Sequence, residues 1–276
     1  MSDPVPAEGP APARLASRDR ALIVAALLGV SAVAWLYLIH LARQMADMAG
    51  MDPAMPGMPD MVAGAMTPMP AAWSVTDFVL MFTMWWMMMV GMMLPSATPL
   101  ILTFATVNRR KRERGQPFLP TFAFTAGYLV VWGGFSLAAT LAQWELDRTA
   151  LLLPSMKTGS AILGGALFVA AGIYQWTPLK HACLSNCRSP LDFVINRWHD
   201  GWAGALRMGG EHGAYCLGCC AVLMALMFVG GAMNLLWAAA LAALVFVEKL
   251  LPGGEWIARA SGVLMVGFGG YLLLSA

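Results

Sequence analysis

Charge is what this sequence is shortest of: Asp, Glu, Lys and Arg together make up 12% of its 276 residues, against about 25% in ordinary soluble domains. So few ions cannot cover a water-facing surface. Those present nearly cancel, at +2, and give no pull toward an acidic partner. With 59% of residues hydrophobic, the composition excludes a nucleic-acid binder, a secreted disulfide scaffold and a disordered chain. Enzyme motifs are missing too. There is no nucleophile elbow, phosphate loop, His-Glu zinc-protease pattern, or flavin or nicotinamide fingerprint, and no internal repeat of fixed period. What remains is an integral membrane protein with abundant sulfur, 22 Met and 5 Cys.

Seven apolar stretches approach the ~20 residues that a helix needs to cross ~30 Å of hydrocarbon. They cover residues 21–39, 78–107, 122–141, 159–176, 214–232, 235–251 and 257–274. The second contains Pro95 and Pro99, which remove backbone donors and should kink it or end it early. The fifth and sixth are separated only near Met233 and Asn234, which implies a tight antiparallel hairpin. The expected fold is therefore all-α, a polytopic membrane helix bundle of about seven spans. With the N-terminus inside, fourteen of the seventeen Lys and Arg fall on the inner side, and the positive-inside rule selects that orientation. The C-terminus is then outside. The first stretch is longer than a signal-peptide core and reads as an N-terminal anchor.

Residues 1–20 begin with an Ala- and Pro-rich run and read as a disordered cytoplasmic tail. Residues 40–74 form an outer Met/Pro-rich segment, with Met45, Met48, Met51, Met55, Met58, Met61, Met66 and Met69 among Pro and Gly. Proline there argues against one continuous helix. Residues 75–276 are then a six-helix membrane domain. Between the fourth and fifth spans, Leu191, Ile195, Trp198, Trp202 and Leu206 recur at helical spacing opposite Arg197, Asp200 and Arg207. This predicts an amphipathic helix lying in the inner interface.

All five cysteines fall in two groups, Cys183 with Cys187, and Cys216 with Cys219 and Cys220. The topology places them at or just inside the cytoplasmic surface, where thiols stay reduced and metal binding or redox exchange is favoured over structural disulfides. In the fifth span Cys216, Cys219 and Cys220 fall within ~100° of one helix face, and Met227 returns to it. On the second span Met81, Met84, Met88 and Met92 form a stripe within ~80° of arc and ~16 Å long. Thioether and thiolate ligands select Cu(I), and neutral thioethers hold it in a bilayer without buried carboxylates. His212 and His181 could complete a mixed site. Zinc competes, because four Cys, or Cys with His, is its tetrahedral preference; the methionines favour copper.

Plainer readings stand beside these. Met in an apolar helix fills gaps, and free Cys behaves as a small hydrophobe. His40 and His199 read as snorkelling interface residues. Glu248 and Lys249 read most simply as an interfacial anchor, with a proton-coupled role for Glu248 as the alternative. The basic block from Arg109 to Arg114 is a topogenic stop signal first and a lipid-binding patch second.

Three runs carry a resemblance. They are Met92-Met93-Leu94-Pro95-Ser96; Tyr174-Gln175-Trp176-Thr177-Pro178-Leu179-Lys180 followed by Cys183, Cys187, Arg188 and Pro190; and His212-Gly213-Ala214-Tyr215-Cys216-Leu217-Gly218-Cys219-Cys220. With these the chain resembles the bacterial predicted metal-binding integral membrane proteins, a domain-of-unknown-function family with some members labelled copper chaperones. The resemblance covers residues 74–274. It implies metal binding by Cys183, Cys187, Cys216, Cys219 and Cys220, with Met92 and Met93 as motif methionines, and a bacterial inner (plasma) membrane location. Met88 and His212 join this set from spacing alone.

The leading expectation is a non-enzymatic membrane protein that binds Cu(I), with zinc the alternative, for copper chaperoning or transport. Its partners are the lipid bilayer, the metal ion and a copper-receiving protein or a membrane complex. Two alternatives differ in class. Cys216 and Cys219 have Cys-x-x-Cys spacing near a helix start, which suits a membrane thiol-disulfide oxidoreductase. Gly230, Gly231, Gly267, Gly269 and Gly270 allow close helix approach, which suits a non-catalytic accessory subunit.

Overall fold

The computed structural model describes residues 17–49, 73–115, 120–149 and 158–275. The expected tail up to residue 16 and most of the Met/Pro-rich segment, residues 50–72, lie outside the described residues. Among the described residues all extended regular elements are helices: α1 (Ser17–Ala49), α2 (Val75–Glu113), α3 (Thr121–Arg148), α4 (Ala161–Tyr174), α5 (Pro178–Arg188), α6 (Pro190–Asn196), α7 (Gly201–Ala225), α8 (Met227–Gly230), α9 (Leu235–Leu250) and α10 (Gly254–Leu274).

Five of these, α1, α2, α3, α10 and α7 continued through α8, are long and apolar enough to cross a membrane. The expected count of seven is not reached by this measure. The fourth stretch is α4, which ends close to its expected end; α4 and α5, bent by 64° at a short break, count as a sixth span only if the pair is taken together. The break has a local cause: Thr177 accepts from the Lys180 N–H as N-cap, and Pro178 at the next position starts a new helix. The sixth stretch is α9, only 16 residues, or ~24 Å. Outward-facing Phe122, Trp256, Leu264 and Leu274 are well exposed, as fits a multi-pass membrane protein.

Helix α2 is the axis of the bundle and buries Met84, Trp85, Met88, Met89, Met92, Met93, Leu94, Leu100 and Phe104. It starts at a reciprocal capping box between Ser74 and Asp77. Of the two effects expected of its prolines, a kink or an early end, the early end does not occur: the helix runs unbroken for 39 residues. Pro95 leaves the Gly91 carbonyl without its helical donor, and Trp35 Nε1 of α1 donates to that oxygen at 3.3 Å. Around Pro99, Thr98 and Thr103 hydroxyls donate to the Leu94 and Pro99 carbonyls. A neighbouring helix thus satisfies a polar group that lipid cannot, whereas the threonine hydroxyls bond back along their own helix.

Helix α1 also runs past its expected end, through residues 40–49. It lays Leu27, Ser31, Ala34 and Leu38 against the bundle, a stripe at helical spacing. The α3–α7 crossing depends on Gly127 and Gly209. A Cβ on Gly209 would fall on the Phe124 carbonyl, and one on Gly127 on the Leu206 carbonyl. Gly165 and Gly269 make a similar reciprocal approach between α4 and α10. Gly267 and Gly270 have nothing within 4 Å, so they play no such part.

The amphipathic helix expected across residues 191–206 is also corrected. Helix α6 ends at Asn196, residues 197–200 are irregular, and α7 begins at Gly201 with φ +81°, a conformation that only glycine adopts without strain. Leu191, Ile195 and Trp202 are exposed, whereas Phe193 and Val194 turn into the core.

Candidate metal centre

The cysteines lie where α2, α3, α7 and α9 meet, with α5 lying across α7. On α7, Cys216, Cys219 and Cys220 share one face, as their spacing requires, and all are buried. Cys220 Sγ is 4.0 Å from Met93 Sδ of α2. Met93 therefore joins the thiols. Met88 and Met92 are equally enclosed on α2.

Helix α5 brings the second cysteine pair. Cys183 Sγ lies against the backbone of Gly218, where an added Cβ would come within 2.6 Å of it. Cys187 stands beside Cys219, which is also neighbour to Cys216 and Cys220. Cys219 is thus the hub of the group. All five cysteines are free thiols. The Tyr174 hydroxyl donates to the Gly218 carbonyl and ties α4 to the same turn of α7.

Cys219 and Cys220 donate to the Cys216 carbonyl at 3.1 and 2.8 Å. Each points along its own helix in this rotamer. Among the described residues no three His, Cys, Asp or Glu side chains stand ready as a ligand set. Rotation about χ1 is the motion that redirects such a thiol.

His212, one turn before Cys216, is enclosed by Tyr128, Phe124 and Phe193, with ring centroids 5.6, 6.5 and 5.5 Å away. Its Nδ1 is buried without a hydrogen-bond partner. An orphaned buried nitrogen is costly, and in the tautomer protonated at Nε2 it offers a lone pair to an ion. His181, by contrast, turns away to Glu255 at 3.9 Å.

Sequence reasoning missed the polar lining of this core. Lys249 of α9 is no interfacial anchor: its side chain is buried, and Nζ donates to Cys216 Sγ at 2.9 Å and Ser96 Oγ at 3.2 Å. Tyr128 Oη is 3.1 Å from the same sulfur and donates to the Met93 carbonyl at 3.2 Å. Cys216 therefore has two polar neighbours from two other helices. Glu248 is buried too and forms a 2.6 Å ion pair with Lys180 of α5. Gln175 bridges this pair: its Nε2 donates to Glu248 Oε1 and Ser261 Oγ, and its Oε1 accepts from Lys180. The signal was present in the rule that ionisable residues inside a membrane find partners in the protein interior.

Several long apolar helices around an enclosed thiol and thioether cluster define the class: a helical protein of multi-pass membrane type with soft-donor chemistry at its centre. Residues 82–272 match the PpoB2 family, described as copper chaperone. That is well over half of the chain, and the protein belongs to this family. No curated protein and no solved structure matches it.

Proposed function

We propose that the protein is a membrane-embedded Cu(I) chaperone that holds the ion as cargo at the thiol cluster. Cys216, Cys219 and Cys220 supply thiolates, and Met93 supplies a thioether from the facing helix. Cys183, Cys187 and His212 surround them as secondary donors. Met88 and Met92 continue the soft surface along α2 toward the outer side. The N-terminus is cytoplasmic in this reading, by the distribution of Lys and Arg.

One observation carries the proposal: thiols from α7 and α5 and a thioether from α2 meet in one buried place, 4.0 Å apart for Cys220 and Met93. The orphaned His212 Nδ1 supports it. Soft donors favour Cu(I), and the scarcity of carboxylates at the cluster disfavours harder ions. The burial of Cys216, Cys219 and Cys220 leaves an external disulfide little approach, which weighs against the oxidoreductase alternative.

The test is metal analysis of the purified full chain loaded with Cu(I) under reducing conditions. Wild type should retain copper, and the Cys216→Ser, Cys219→Ser, Cys220→Ser triple variant should lose it. Equal copper content in the two overturns the site.

A further inference from the structure

Two residues adjacent in sequence on α9 carry opposite charges into the core, and they do not neutralise each other. The Glu248 carboxylate is taken up by Lys180 at 2.6 Å and by Gln175 at 2.9 Å. Lys249 is left to find its own partners, and these are a hydroxyl, Ser96 Oγ, and a sulfur, Cys216 Sγ. Cys219, Cys220 and Tyr128 also lie within electrostatic reach of the ammonium. A buried cation without a carboxylate is expensive, so its position against the thiol group calls for a negative charge that arises there. We infer that Lys249 is the resident counter-charge of the thiol site, making it favour monovalent soft cations over divalent ones held by the same ligands. This rests on the copper-holding reading above.

The reasoning is charge arithmetic. The three thiolates of Cys216, Cys219 and Cys220 around Cu(I) or Ag(I) give a complex of charge −2, and the same three around Hg(II) give one of charge −1. Both kinds of ion release the same number of thiol protons on binding. The difference between them is therefore one unit of charge beside Lys249, whatever protonation the thiols start from. An ammonium in hydrogen-bond contact with a ligand sulfur stabilises the more highly charged anionic complex more than the less charged one. In a low-dielectric interior this contrast is large. Lys249 acts through Cys216 and is a positioning and selectivity residue, not itself a ligand.

The test uses the full chain in detergent micelles, with Cu(I), Ag(I) and Hg(II) affinities each measured by competition against a chelator of known affinity. Lys249→Met keeps the length of the side chain and removes the charge; Lys249→Arg keeps the charge. In Lys249→Met the ratio of Cu(I) to Hg(II) affinity should fall roughly ten- to hundred-fold, as expected for loss of a charge-assisted hydrogen bond. Ag(I) should fall with Cu(I), and Lys249→Arg should restore most of the ratio. Should Lys249→Met fail to fold, Lys249→Gln serves as the neutral variant, because its amide can still donate to Ser96. An unchanged ratio overturns the inference. So does an equal loss for all three ions, since damage to the shape of the site penalises every ion alike. If wild type binds no Cu(I), or binds it without Cys216, Cys219 and Cys220, the copper reading itself has failed.

Discussion

Replacing Glu248 by Leu should be among the most damaging single changes outside the cysteine group, and replacing Lys180 as well should undo most of the damage. The two side chains are 2% and 1% exposed and 2.6 Å apart. Removing one partner of such a pair leaves the other buried and uncompensated, at a cost of ~3–5 kcal/mol. At ~2–4 °C per kcal/mol, this lowers the unfolding midpoint by about 6–20 °C. Lys180→Met should cost a comparable amount. The double variant leaves no stray charge. Gln175 keeps its bond to Ser261 but loses the donor to its Oε1, so a residual ~1–3 kcal/mol remains. The coupling between the two sites should then be at least ~3 kcal/mol, at the top of the range for residues in direct contact. Thermal unfolding of the full chain in detergent, followed by circular dichroism, measures all four proteins. Additive losses would refute the reasoning, as would a single variant that melts with wild type. The double variant should also keep its copper, because this pair makes no contact with the thiols.

Gly209→Val places a side chain where the Phe124 carbonyl already is, so α3 and α7 cannot close. It should yield no folded monomer by size-exclusion chromatography, whereas Gly267→Ala, with open space around it, should elute as wild type; normal folding of Gly209→Val would show the crossing to be looser than described. Trp35→Phe should cost ~1–3 kcal/mol because the Gly91 carbonyl loses its donor. In a Pro95→Ala background that cost should vanish, since the backbone N–H restored by the substitution retakes the carbonyl. An undiminished cost there would mean that Trp35 acts by packing alone.

Much of the fold was legible because hydrophobic run length is read directly by a membrane: α1, α2, α3 and α10 each contain a predicted stretch, and α7 continued through α8 covers most of another. The errors concern ends and breaks, where local chemistry competes with hydropathy. Pro95 and Pro99 looked like breakers because a sequence shows the donors that proline removes and hides those that other parts of the fold bring back, here Trp35 from α1 at the Gly91 carbonyl. Beyond the fourth stretch, Thr177 and Pro178 open a further short helix, α5, that hydropathy does not reveal because its run is not apolar; the pattern, a capping residue followed by proline, was visible in the sequence. The interface helix failed for a third reason. Alternating large apolar and basic residues fit one amphipathic cylinder, yet the left-handed backbone at Gly201 divides it and sends Phe193 to the ring of His212.

For the site, periodicity placed Cys216, Cys219 and Cys220 on one face and Met84, Met88 and Met92 on one stripe, because a helix fixes relative direction within itself; Met93 came only from the family resemblance. It could not give relations between helices. That Met93, and not its neighbours, reaches Cys220 depends on the rotation of α2 against α7, which no local pattern encodes. The larger omission was Lys249. A Glu-Lys pair near the end of an apolar run invites pairing of the two with each other or with lipid headgroups. On a helix, however, consecutive residues diverge by ~100°, so Glu248 and Lys249 necessarily face different neighbours. Once Glu248 is committed to Lys180, Lys249 must be balanced elsewhere, and the nearest polarizable group is a sulfur. A buried lysine in a carboxylate-poor core is therefore itself evidence about where negative charge forms when the protein works.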